Sequence, residues 1–93
     1  MKLKLKAQVS RSEAQTIRRA LKQLAAKGSI RKADEDFVVE AEMEGTSAKE
    51  MNRILLSALR KVERKATIRA EWTSGDNITE RFFDYVLKKT IRD

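Results

Sequence analysis

Ile78-Thr79-Glu80-Arg81-Phe82-Phe83-Asp84-Tyr85-Val86-Leu87-Lys88-Lys89-Thr90-Ile91 is the stretch on which the fold turns. Taken with a helical period, Phe82, Phe83, Val86, Leu87 and Ile91 form one apolar stripe, and Asn77 with Glu80 supplies a cap. Taken with a period of two, residues 79–86 form a strand that folds back on residues 66–73 across the turn Ser74-Gly75-Asp76-Asn77. The first reading lays a third helix on a sheet. The second widens the sheet. The helix is the preferred reading.

Upstream, residues 66–73 alternate, with Ile68, Ala70 and Trp72 on the inward side. Before them Met51, Ile54, Leu55, Ala58, Leu59 and Val62 recur at helical spacing, after a Ser47-x-x-Glu50 capping box. Residues 37–44 alternate again: Phe37, Val39, Ala41 and Met43 share one side, Glu40, Glu42 and Glu44 the other. Residues 29–33 make a short strand on weaker grounds, and Asp34-Glu35-Asp36 reads as a turn. Ile17, Leu21 and Leu24 form a further helical stripe. Ser10-x-x-Glu13 is placed to cap its start, and Gly28 to end it by taking a left-handed conformation. Residues 2–9 alternate strictly, Leu3, Leu5, Ala7 and Val9 against Lys2, Lys4, Lys6 and Gln8.

The expectation is therefore one compact α+β domain over residues 1–93. It is a two-layer sandwich, ferredoxin-like βαββαβ, with an added C-terminal helix. At 93 residues a second domain is excluded. The chain has no Cys and no His, which removes disulfides and thiolate chemistry. It also removes the usual ligands of zinc, haem and iron–sulfur sites and the commonest acid–base side chain. No metal and no cofactor are expected. Asp76, Glu80 and Asp84 lack calcium-loop spacing and read as turn and cap residues. Ser74-Gly75-Asp76 lacks the glycines and the following Lys of a phosphate loop. The reading is of a protein that is not an enzyme. No apolar run reaches a membrane span, and the opening Met1-Lys2-Leu3-Lys4-Leu5-Lys6 alternates unlike a signal peptide. A cytoplasmic protein without a membrane partner is expected. Abundant Lys, Arg and Glu without Cys also match a thermophile composition.

The net charge of +7 is distributed in blocks. Residues 1–33 carry ten basic and one acidic side chain, residues 34–50 one basic and seven acidic, residues 51–69 six basic and one acidic. Lys2, Lys4 and Lys6 are expected to face Glu40, Glu42 and Glu44 across a strand pair and compensate one another. Phosphates on that sheet face would meet glutamates, and Phe37 and Trp72 fall on inward registers. Base stacking on the sheet is therefore not expected.

The uncompensated charge falls on the helices. Arg18, Arg19 and Lys22 lie opposite the first apolar stripe, and Arg60, Lys61 and Arg64 opposite the second. Glu13, Glu50 and Glu63 dilute this surface, and Lys27, Arg31 and Lys32 extend it at one edge. Such a surface binds phosphate backbones by charge neutralisation. The expected function is backbone binding to nucleic acid, RNA before DNA, through Arg18, Arg19, Lys22, Arg60, Lys61 and Arg64. The alternative is a dimerising or adaptor subunit of a larger complex. Phe82, Phe83, Tyr85 and Ile91 would then meet a protein partner or a second copy.

Residues 2–62 carry a further signal. An alternating strand is followed by Ser12-Glu13-Ala14-Gln15-Thr16-Ile17-Arg18-Arg19-Ala20-Leu21, and residues 37–44 run directly into Met51-Asn52-Arg53-Ile54-Leu55-Leu56. This order resembles the small dimerising subunit of the KEOPS complex, which takes part in tRNA modification. The resemblance implies a βαββα core, pairing as a dimer, and a non-catalytic role as an assembly platform. The strand at 66–73 and the tail at 82–91 depart from it.

Overall fold

Leu3, Leu5, Ala7 and Val9 are buried on one side of the first strand while Lys2, Lys4, Lys6 and Gln8 are exposed on the other. That alternation makes β1 (Lys2–Ser10) the centre of the sheet. The computed structural model describes residues 1–92. The elements that follow are α1 (Ala14–Gln23), β2 (Lys27–Ala33), β3 (Asp36–Glu44) and α2 (Ala48–Val62). They continue as β4 (Thr67–Ser74), β5 (Ile78–Phe83) and β6 (Val86–Arg92). All six strands join one antiparallel sheet in the order β2-β3-β1-β4-β5-β6.

The expected ferredoxin-like βαββαβ sandwich with a third, C-terminal helix is not the fold. Among the described residues there are six strands and two helices, and the sheet runs on past β4 through the β5–β6 hairpin. Composition and the turn geometry both favour this. The tail is rich in β-branched and aromatic residues, which suit a pleated surface better than a helix. Asp84 sits at a φ of 58°, a left-handed conformation that closes a two-residue turn between the paired residues Phe83 and Val86. Asn77, expected as a helix cap, is likewise left-handed at a φ of 61° and turns β4 into β5. Of the tail's apolar set only Phe82 is buried. Phe83, Val86 and Leu87 are exposed.

The weakly patterned stretch 29–33 does lie in a strand, β2, at one sheet edge. Gly28 belongs to that strand rather than to a helix end. A side chain there would collide with the Glu40 carbonyl oxygen and with Ala41 on β3. The chain leaves α1 instead through Ala25, at a φ of 54°. The Ser10-x-x-Glu13 box does not form, because Ser10 is taken up by β1 and Glu13 is itself the residue that opens α1. The free amide of Glu13 donates to Glu63 Oε1 at 3.1 Å, and the Thr16 hydroxyl donates to the same oxygen. The start of α1 is thus capped from the end of α2. In α2 Ser47 Oγ accepts from the Glu50 amide at 3.1 Å, as its sequence implies.

Both helices bury their apolar stripes on the face of the sheet that carries Leu3, Leu5, Val39, Ile68 and Trp72. Trp72 is fully buried, and replacing it by Ala would cost about 3–5 kcal/mol. Its indole N–H donates to Asn52 Oδ1 at 3.0 Å, and the Asn52 amide nitrogen donates to the Asp84 carbonyl. The carboxylate of Asp84 accepts from the Ile68 amide and from Arg60, each at 3.0 Å. Arg60 Nε also donates to the Ala66 carbonyl at 3.0 Å. The hairpin turn is therefore held to α2 and β4 by a polar network at the border of the core.

Candidate nucleic-acid interface

On the open face of the sheet the charge blocks meet in register. Lys2 lies opposite Glu44, Lys4 opposite Glu42 and Lys6 opposite Glu40. Lys4 Nζ is 3.8 Å from Glu42. These exposed pairs contribute about 0.2–1 kcal/mol each, and their larger effect is to cancel the field of the first strand. Arg81 is similarly matched to Glu71 at 3.7 Å.

The helix cations divide into two groups. Arg60 is committed to Asp84 and to the Ala66 carbonyl, on the side of α2 that meets β4 and the hairpin turn. Arg53 pairs with Glu50 one turn earlier on the helix. Its guanidinium hydrogen bond holds the Glu50 carboxyl below the ordinary carboxylate range. The other group has no carboxylate within ion-pair distance among the described residues. Arg18, Arg19 and Lys22 project from α1, and Lys27, Arg31 and Lys32 from the adjoining edge strand β2. All six are exposed. A groove of about 470 Å³ runs between the two elements, with Arg18, Arg19 and Lys22 on its rim and Ile30 and Gly28 on its floor. Lys61 and Arg64, also exposed and without an acid partner, flank Glu63 where it meets the start of α1. Arg18, Arg19 and Lys22 thus line the groove against β2, Lys61 and Arg64 lie near the opposite end of α1, and of the six only Arg60 is paired with a carboxylate.

Sequence reasoning missed two placements. Asp84, read as a turn or cap residue, does lie in the β5–β6 turn, but it also ties that turn to α2 and β4, and no local pattern announces its contacts with Ile68 and Arg60. Phe83 stands on the open sheet face, where no aromatic was expected. The strand reading of the tail would have put it on the face opposite Phe82. Among the described residues no helix is long and apolar enough to cross a membrane. No protein-family model matches the chain, and no curated protein or solved structure is significantly similar to it. The resemblance seen over residues 2–62 therefore gains no support from these comparisons.

Proposed function

We propose that the domain is a non-catalytic binder of nucleic-acid backbone, with RNA as its preferred partner, acting through the border between α1 and β2. One observation carries the reading. Arg18, Arg19 and Lys22 on α1 and Arg31 and Lys32 on the neighbouring edge strand β2 are exposed without an ion-pair partner among the described residues, and Lys27 beside them lies opposite Glu42, while Lys4, Arg53, Arg60 and Arg81 are each paired with a carboxylate. Unmatched, exposed and clustered cations bind phosphates by releasing counterions, and phosphate contacts give affinity and orientation with little sequence discrimination. Lys61 and Arg64 extend the footprint at one end; Arg60 serves the fold.

The test is a salt titration of binding to tRNA and to duplex DNA with nuclease-treated protein. Sub-micromolar affinity near ~0.15 M salt, with a log–log slope that corresponds to several phosphates, supports the reading. Binding that vanishes at that salt is ordinary polyanion attraction and contradicts it.

A second reading, a dimerising or adaptor subunit, is favoured by β6. This edge strand leaves Val86 61% and Leu87 46% exposed, with Tyr85 beside them. Light scattering discriminates: a strict monomer up to ~1 mM removes self-association.

A further inference from the structure

The strand register assembles a row of side chains across the open sheet face that no single stretch of sequence displays. Arg31 on β2 lies opposite Val38 on β3, Val38 opposite Gln8 on β1, Gln8 opposite Arg69 on β4, and Arg69 opposite Phe83 on β5. This row contains no carboxylate. The next row along the strands contains Glu40 and Glu71, and the one beyond it Glu42. The nearest acid to the row is Asp36, whose Oδ2 accepts from Gln8 Nε2 at 2.6 Å. At this end Asp36 is engaged by Gln8, and neither Arg31 nor Arg69 has an ion-pair partner among the described residues.

Phe83 is 37% exposed at the far end of the row. Its ring centroid lies 5.4 Å from the Arg69 guanidinium carbon and 5.5 Å from the Lys88 ammonium. Lys88 reaches it because β6 shifts register against β5 between Arg81 and Phe82. An open depression of about 730 Å³ lies over the row, lined by Gln8, Val38, Arg69, Phe83 and Lys88 and, at its margin, by Glu71, which is paired with Arg81. In this structure both cations lie over the ring, so a base that stacks on Phe83 takes the place of one of them and leaves it to meet a phosphate. A duplex cannot use such a ring, because its bases are already stacked. Four strand spacings separate Arg31 from Phe83, about 19 Å. That is the reach of a short strand rather than of one nucleotide. Arg31 belongs to the β2 edge as well, so the row continues the basic α1–β2 border onto the sheet face.

We infer that the Arg31–Val38–Gln8–Arg69–Phe83 row, with Lys88, is a site for single-stranded RNA in which Phe83 stacks one unpaired base. This rests on the backbone-binding reading and adds to it a preference for unpaired over paired strands. It also departs from the expectation that the sheet face takes no bases, which rested on the glutamates of that face and on the inward registers of Phe37 and Trp72.

The test is fluorescence anisotropy at ~0.15 M salt with the full chain, labelled eight-nucleotide single strands of uridine or adenosine, and an RNA duplex. Phe83→Leu keeps apolar bulk and removes the aromatic face. It is expected to weaken single-strand binding ~10-fold, within the range of one stacked base, while duplex affinity stays within about two-fold. Phe83→Trp is expected to retain or raise single-strand affinity, and its retention shows that Phe83→Leu acts through the ring. The R18E/R19E/K22E variant should weaken both ligands. Unchanged single-strand affinity in Phe83→Leu, or an equal loss for both ligands, overturns the inference and leaves the backbone reading standing. So does a wild-type protein that binds duplex but no single strand. A wild-type protein that binds neither overturns both. A dimer that Phe83→Leu dissociates without altering single-strand affinity assigns the ring to a protein contact, and also overturns the inference.

Discussion

The α1–β2 border and the junction of α2 with the β5–β6 turn both carry arginines at outward helix positions, and they differ in what those arginines face. At the border Arg18 and Arg19 face water, with Lys22 on the same groove and Lys27, Arg31 and Lys32 on the adjoining strand. At the junction Arg60 faces a carboxylate, Asp84, and a backbone carbonyl, Ala66. One residue type at comparable helix positions is thus free to bind in one place and occupied with the fold in the other. Net charge by itself does not separate the two cases. Partners do, because an exposed cation without a carboxylate contributes its full field to an approaching phosphate, while a matched one contributes little.

The largest effect that would sharpen this contrast is on binding. Reversing the border charges with R18E/R19E/K22E is expected to raise the Kd for tRNA ~100-fold or more and to flatten the salt dependence. The same variant should stay within about 0.5 kcal/mol of wild-type stability in a denaturant melt, as exposed substitutions away from packed features do. An unfolded variant, or unaltered affinity, would break the comparison from the border side.

The junction should behave in the opposite way. Asn52 is fully buried and joins the Trp72 indole N–H to the Asp84 carbonyl. Asn52→Ala leaves both without a partner and is expected to cost about 2–4 kcal/mol, measured by urea unfolding. Arg60→Ala removes a half-exposed ion pair and a hydrogen bond to Ala66. A smaller loss of about 1 kcal/mol is expected, with RNA affinity changed less than about three-fold. A ten-fold loss of affinity in Arg60→Ala would place that side chain in the interface and undo the distinction.

The smallest effect is a pH dependence. The Glu50 carboxyl is lowered chiefly by its hydrogen bond from Arg53, and the Asp76 carboxyl chiefly by its hydrogen bond from the Ser74 hydroxyl. A carboxyl lowered in the folded state binds fewer protons there than in the unfolded chain. Its contribution is therefore complete above the unfolded carboxylate range and lost as pH falls through the lowered value. Thermal midpoints followed downward from pH 5 should fall more steeply for wild type than for a Glu50→Gln/Asp76→Asn variant. Parallel curves would contradict this.

How far the sequence can be read follows from the same division between local and distant causes. β1, β3, β4 and α2 are legible because each carries its own alternation or stripe, and the Lys–Glu register of β1 against β3 follows from the two charge patterns. β2 is faint because it is an edge strand, with only Ile30 of its side chains packed against the core. The tail misleads because Phe82, Phe83, Val86, Leu87 and Ile91 satisfy a helical period, while in the strands they form only Phe82 is buried. What decides between the two is a left-handed Asp84 fixed by Ile68, Asn52 and Arg60 from elsewhere in the chain. Of the six site residues, Arg18, Arg19, Lys22 and Lys61 lie on exposed helix positions, Arg64 is exposed beyond the end of α2, and Arg60 is half-buried against Asp84 and Ala66. Only the tertiary structure tells that Arg60 has a partner and that the β2 cations stand beside α1.

The most direct test of the account compares the salt dependence of tRNA binding for the wild-type protein and for R18E/R19E/K22E. The account predicts sub-micromolar wild-type binding near ~0.15 M salt, and a variant that is folded, weak and shallower in slope by ~2 or more. Two salt curves that superimpose would contradict it.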